Sequence, residues 1–203
     1  MMNQEARYTT IDNEGTALFR DRGSKFLAYA YPVRNQAEIK QCLQTLKKEH
    51  PKAVHHCYAF RLGTDGLQFR AADDGEPAGS AGRPILGQID SAGLTNVLVV
   101  VVRYFGGTLL GVPGLIHAYK TATADALGAT GRREQWLEQL VEISCDYQTM
   151  GEVLYLLKQH EATVYHQEQQ LFCTLSAGIP LPYSTACRER LLQLRGVSLK
   201  IQP

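Results

Sequence analysis

Val97-Leu98-Val99-Val100-Val101-Val102 runs directly into Arg103-Tyr104-Phe105-Gly106-Gly107-Thr108-Leu109-Leu110-Gly111-Val112-Pro113-Gly114. A continuous apolar run in which all but one residue is valine predicts a strand buried on both faces, since a half-exposed strand would alternate. The glycines after it predict a loop, and Pro113 suits the first turn of a helix that ends near Gly128. A strand, a Gly-rich loop and a helix in that order can aim free backbone N–H groups at an anion. Gly106 and Gly111 have the spacing of a phosphate loop, yet Val112-Pro113 stand where Lys and Ser/Thr would be, so nucleotide hydrolysis of that kind is unsupported. Arg103 and Lys120 would supply charge, and Tyr104 or Phe105 a stacking surface. The alternative is that the glycines serve tight packing and the aromatic pair is core.

Outward toward the N-terminus, Ala72-Asp73-Asp74-Gly75-Glu76-Pro77-Ala78-Gly79-Ser80-Ala81-Gly82 has no periodicity and reads as loop, followed by a short helix over residues 84–89. Three carboxylates this close repel unless something satisfies them. A divalent cation on Asp73, Asp74 and Glu76 is one solution. A carboxylate-stabilised turn, with Glu76 paired to Arg83 or Arg103, is the other. Residues 55–62 and 67–71 read as a strand pair, preceded by a helix that Asn35 caps and Lys47-Lys48 close. On the first strand His55 and Cys57 share one face, and His56 and Tyr58 the other. One face thus offers an imidazole–thiol pair for nucleophilic chemistry, or two histidines bonded to loop carboxylates with Cys57 as filler. Residues 8–11, 17–21 and 25–33 read as antiparallel strands at the start of the chain.

Toward the C-terminus the pattern changes. Of 18 glycines only Gly151, Gly178 and Gly196 follow Gly131. A charged linker at Gly128-Ala129-Thr130-Gly131-Arg132-Arg133 divides the chain into domains at 1–131 and 134–203. The second domain reads as strand 137–147, helix 149–160, strands 162–167 and 171–177, helix 182–195 and strand 197–201. That β-α-β-β-α-β order is the ferredoxin-like split sandwich, an α+β fold.

The whole sequence of 203 residues balances 21 Lys+Arg against 20 Asp+Glu, which excludes a basic nucleic-acid tail or an acidic solvating tail. Between Tyr104 and Tyr119 there is no Asp, Glu, Lys or Arg, but the stretch is too short and glycine-rich to span a membrane. Met1-Met2-Asn3-Gln4-Glu5 has no apolar signal region. Five widely spaced cysteines form neither a disulfide framework nor a zinc pattern, as expected of a cytoplasmic protein. Cys42, Cys145, Cys173 and Cys187 fall on apolar faces at helical or strand spacing, the last strand pattern including Leu171. No cofactor or resident-metal motif is found.

Four motifs occur in fixed order: Gly23-Ser24-Lys25-Phe26, His50-Pro51 through His55-His56-Cys57-Tyr58, the acidic loop from Asp73 to Gly82, and Val101-Val102-Arg103-Tyr104-Phe105-Gly106-Gly107 through Leu110-Gly111. In these the chain resembles the IMPACT (YigZ-type) family, bacterial two-domain members included. The resemblance implies a first domain similar to domain 2 of ribosomal protein S5, a second similar to a module of elongation factor G, and a link to translational control. The expectation is a binding protein, uncertain as an enzyme, that contacts RNA or another phosphate-bearing, ribosome-associated ligand. Its first-domain cleft would use Lys25, Arg83, Arg103, Tyr104, Gly106, Gly107, Gly111 and Lys120. The alternative is a phosphoryl- or metal-dependent enzyme using Asp73, Asp74, Glu76, His55 and His56.

Overall fold

The computed structural model describes residues 6–169 and 173–202. They divide into two compact units, Tyr8–Gln135 and, with residues 6–7, the described residues from Trp136 onward. The larger contains, in chain order, β1 (Arg7–Ile11), β2 (Gly15–Asp21), β3 (Ser24–Pro32), α1 (Gln36–Glu49), β4 (His55–Leu62), β5 (Gln68–Ala72), α2 (Gly82–Ser91), β6 (Val97–Tyr104), α3 (Gly111–Gly128) and β7 (Arg132–Trp136). Its main sheet has the order β2-β3-β6-β4-β5, antiparallel throughout. The valine run is the central strand β6, and alternation decides what each residue meets. Val97, Val99 and Val101 pack with Phe26, Ala28 and Cys57 beneath α2 and α3. Leu98, Val100 and Val102 pack with Ile39, Leu46 and Phe60 beneath α1. Two cores therefore share one sheet, which is why β6 admits no polar residue before Arg103.

Two expectations are corrected. Residues 7–11 do not join the β2–β3 sheet but pair with β7, so the expected linker over 128–133 ends in a strand that begins at Arg132. The hydrogen bond from Asp12 N–H to the Gly131 carbonyl, 2.9 Å, ties the two ends together. The helix expected over 84–89 is longer, beginning at Gly82 for a reason given below.

The smaller unit contains β8 (Glu138–Cys145), α4 (Met150–Gln159), β9 (Thr163–Gln169), β10 (Cys173–Pro180), α5 (Leu181–Leu192) and β11 (Ser198–Ile201). The sheet order is β11-β8-β10-β9, antiparallel, with a register shift at Ser176/Ala177. Val141, Ile143, Cys145, Leu175 and Ala177 face the apolar stripes of α4 and α5, so both helices cover one side. Cys145, Cys173 and Cys187 are buried there. Leu171 and Met1 to Glu5 lie outside the described residues. No helix among the described residues is long and apolar enough to cross a membrane.

Candidate functional site

The acidic loop builds a structure before it builds a site. Asp73 Oδ1 accepts the N–H groups of Ala81 at 3.0 Å and Gly82 at 2.8 Å, and Oδ2 accepts that of Gly79 at 2.8 Å. These are orphan donors at the start of α2, whose own flanking residue, Ala81, has no side-chain oxygen to offer. Asp73 therefore caps α2 from a distance and sets its start at Gly82. Burial raises its pKa, but the three amides and the Arg83 charge outweigh that and hold it below the usual carboxylate value. Asp74, at φ 44°, accepts the His56 N–H through Oδ2 at 2.6 Å and faces His55 Nδ1 through its carbonyl at 2.7 Å.

Glu76 points inward. Its Oε1 accepts from Arg103 Nη1 at 2.6 Å and from the Tyr119 hydroxyl at 2.8 Å, all within the interior. Arg103 is only 5% exposed, and its guanidinium lies over Phe26 at 5.3 Å and Phe105 at 5.6 Å. Cys57 donates its thiol hydrogen to the Asp73 carbonyl at 3.0 Å or to the Tyr119 oxygen at 3.2 Å. Burial pushes the pKa of Cys57 far up, and that of Tyr119 likewise. The imidazole–thiol reading is corrected accordingly: Cys57 is a buried, protonated thiol, and the two nitrogens of His55 face Asp74 and, at 3.9 Å, Glu76. His56 lies on the opposite face near Leu46 and Lys47, where burial lowers its pKa. The divalent-cation reading is corrected too, because Asp73, Asp74 and Glu76 all spend oxygens on protein donors rather than converging on one point. No cluster of three metal-ligating side chains exists among the described residues.

Arg103 and Tyr104 were expected in one cleft, but adjacent strand residues face opposite sides. Tyr104 lines a cavity of about 420 Å³ on the α1 side with Leu18, Arg20, Gly23, Lys25, Leu27, His50 and Phe105. β2 and β3 turn through Arg22 at φ 44° and Gly23 at φ 81°, a two-residue turn of the I′ class. That turn fixes the register Arg20 opposite Lys25. Gly106 is also constrained, since a Cβ there would sit 1.9 Å from the Gly23 carbonyl carbon. Its N–H donates to Ser24 Oγ at 3.1 Å, so this amide is not the free anion donor expected of it. Gly107 and Gly111 are exposed; Arg83 stands beside Asp73, and Lys120 lies on α3 outside the cavity.

His50, the residue after α1, has both ring nitrogens bonded to tyrosines. Nε2 meets the Tyr29 hydroxyl at 2.8 Å and Nδ1 the Tyr104 hydroxyl at 3.0 Å. Burial, with the Glu49 charge, raises the Tyr29 pKa and keeps its hydroxyl protonated.

Residues 22–127 match the family model described as the Impact N-terminal domain. The chain is 35% identical over 158 residues to an IMPACT family member of Haemophilus influenzae, covering 77% of each protein. The chain belongs to the IMPACT family. It is also 34% identical over 160 residues to IMPACT family member YigZ of Escherichia coli, covering 77% of this chain and 78% of that one. Human Protein IMPACT is 38% identical over 102 residues, 48% of this chain and 31% of that protein. A solved structure titled "Crystal structure of an hypothetical protein" superposes with TM-score 0.75 at 29% identity, covering 97% of this chain and 96% of that one.

The IMPACT-type segment contains the Glu76–Arg103–Tyr119 network and most of the cavity, but Leu18 and Arg20 precede it. Arg20, His50 and Tyr29 were not among the residues expected at a site. The Arg22-Gly23 turn was the available signal for Arg20, because a two-residue turn there puts it opposite Lys25. Nothing local identifies Tyr29, and His50 stands in the His50-Pro51 motif without a signal of its partner, since their contact depends on how α1 lies over β3.

Proposed function

We propose that this cytoplasmic protein acts in translation or its regulation by binding RNA, through the cavity bounded by Arg20, Lys25, His50, Tyr104 and Phe105. The observation that carries the reading is a pair of exposed cations beside an exposed aromatic ring, in a cavity also lined by Leu18 and Leu27. Among the described residues neither Arg20 nor Lys25 has an ion-pair or hydrogen-bond partner for its side chain. Phosphate oxygens suit such cations, and a base suits the face of Phe105. The domain reading supports this. The larger unit is taken as similar to domain 2 of ribosomal protein S5, and the 4-1-3-2 strand order of the smaller fits a ferredoxin-like module.

Arg103, Arg83 and Lys120 drop out of the binding set: the first is buried in its ion pair, and the others do not line the cavity. Titration of the whole protein with a labelled single-stranded RNA at 50 mM salt tests the proposal. Binding should weaken roughly tenfold in Arg20→Ala and again in Lys25→Ala, the worth of a charge-assisted contact. No binding, or binding indifferent to both substitutions, defeats it.

A further inference from the structure

Arg20 and Lys25 are directly opposed across β2 and β3, and both face the cavity. Like charges so placed are about 4.5–5.5 Å apart at Cβ and destabilise the strand pair. The arrangement makes sense where two negative charges arrive between them. A phosphodiester brings one; a phosphate monoester brings close to two near neutral pH. A neutral donor stands on the same cavity wall. In the His50 tautomer that carries its proton on Nδ1, Tyr29 donates to Nε2, Nδ1–H donates to the Tyr104 oxygen, and the Tyr104 proton is left for the cavity. The chain Tyr29–His50–Tyr104 thus ends in an O–H directed by two ordered partners, suited to a further phosphate oxygen. Phe105, 47% exposed, offers a ring face at the rim. The volume of about 420 Å³ falls at the small-ligand end of binding sites, room for a single nucleotide rather than a folded strand.

We propose, resting on the RNA reading above, that this cavity recognises a terminal phosphate monoester carried by a nucleoside, with Arg20 and Lys25 on the phosphate, Tyr104 donating to it and the base against Phe105. Tyr29 and His50 are positioning residues. Two sources share this chemistry, a free nucleotide and the phosphorylated end of an RNA strand.

The test is calorimetric titration of the whole protein with adenosine and adenosine 5′-monophosphate, and with RNA pentamers ending in a 5′-phosphate, a 3′-phosphate or only hydroxyls. At least one monoester-bearing ligand should bind roughly tenfold or more tightly than its hydroxyl counterpart. Tyr104→Phe should shrink that ratio roughly tenfold, and Tyr29→Phe should shrink it less. Arg20→Gln and Lys25→Gln, both at exposed positions, serve if the tyrosine variants do not fold. A free nucleotide that binds while every pentamer fails supports the monoester and removes the RNA reading. Pentamers that bind equally with and without a terminal phosphate overturn the monoester and leave the RNA reading standing. No binding by any ligand ends both.

Discussion

Arg103 and Glu76 illustrate how little a residue type says about its task. The guanidinium that sequence alone would offer to phosphate is held within 2.6 Å of a carboxylate in the interior. Two charges removed from water are tolerable only while both are present. Glu76→Gln keeps the shape but leaves Arg103 buried and uncompensated, and should cost about 3–5 kcal/mol in chemical denaturation. Tyr119→Phe removes a hydroxyl from the same oxygen without removing a charge, and should cost only about 1–3 kcal/mol. Equal losses would mean that the ion pair is not the stabilising element. Cys57 supplies a second check at this scale. Buried and protonated, it should resist alkylation by iodoacetamide in the native protein and react once denaturant opens the fold, as read by mass spectrometry. Rapid native labelling at Cys57 would restore the nucleophile reading.

At the scale of elements, α2 depends on an acceptor that its own sequence does not contain. Asp73→Ala strands three N–H groups at once and should destabilise the protein by about 2 kcal/mol, the upper range for a helix cap. The pH dependence follows from the sign. A carboxyl whose folded pKa is depressed contributes stability above its unfolded value of about 3.9, and loses it as pH falls through the lower folded value. His56 acts earlier in an acid titration. Its folded pKa is lowered, so the unfolded chain takes the proton first, and stability declines once pH falls below about 6.5. Melting temperatures from pH 8 to pH 2 should show both declines, the lower one reduced in Asp73→Ala, where Asp146 still contributes, and the upper one missing in His56→Gln. Strands and helices were readable in these terms because burial periodicity is local, as in the valine run and the stripes of α4 and α5. The departure of residues 7–11 to β7 was not, since their partner lies more than 100 residues away. The candidate site was half legible for the same reason. Alternation separates His55 from His56 in the sequence itself, yet applying it to Arg103 and Tyr104 requires knowing that β6 continues past the valine run to Tyr104.

For the molecule as a whole, charge limits what binding can look like. A formal net charge of +1 leaves no broad positive field to condense around a polyanion, so affinity for RNA must come from a few placed cations. Counterion release then predicts a shallow salt dependence. Each phosphate neutralised on a single strand contributes about −0.7 to the slope of log K against log salt, so Arg20 and Lys25 together give roughly −1.4. Removing either should bring the slope to roughly −0.7, with the loss of affinity largest at low salt. A slope near −5 in the intact protein would require many more phosphate contacts than this cavity contains, and would direct attention to another face. A slope near zero that survives Lys25→Ala would mean that the two opposed cations never meet the strand.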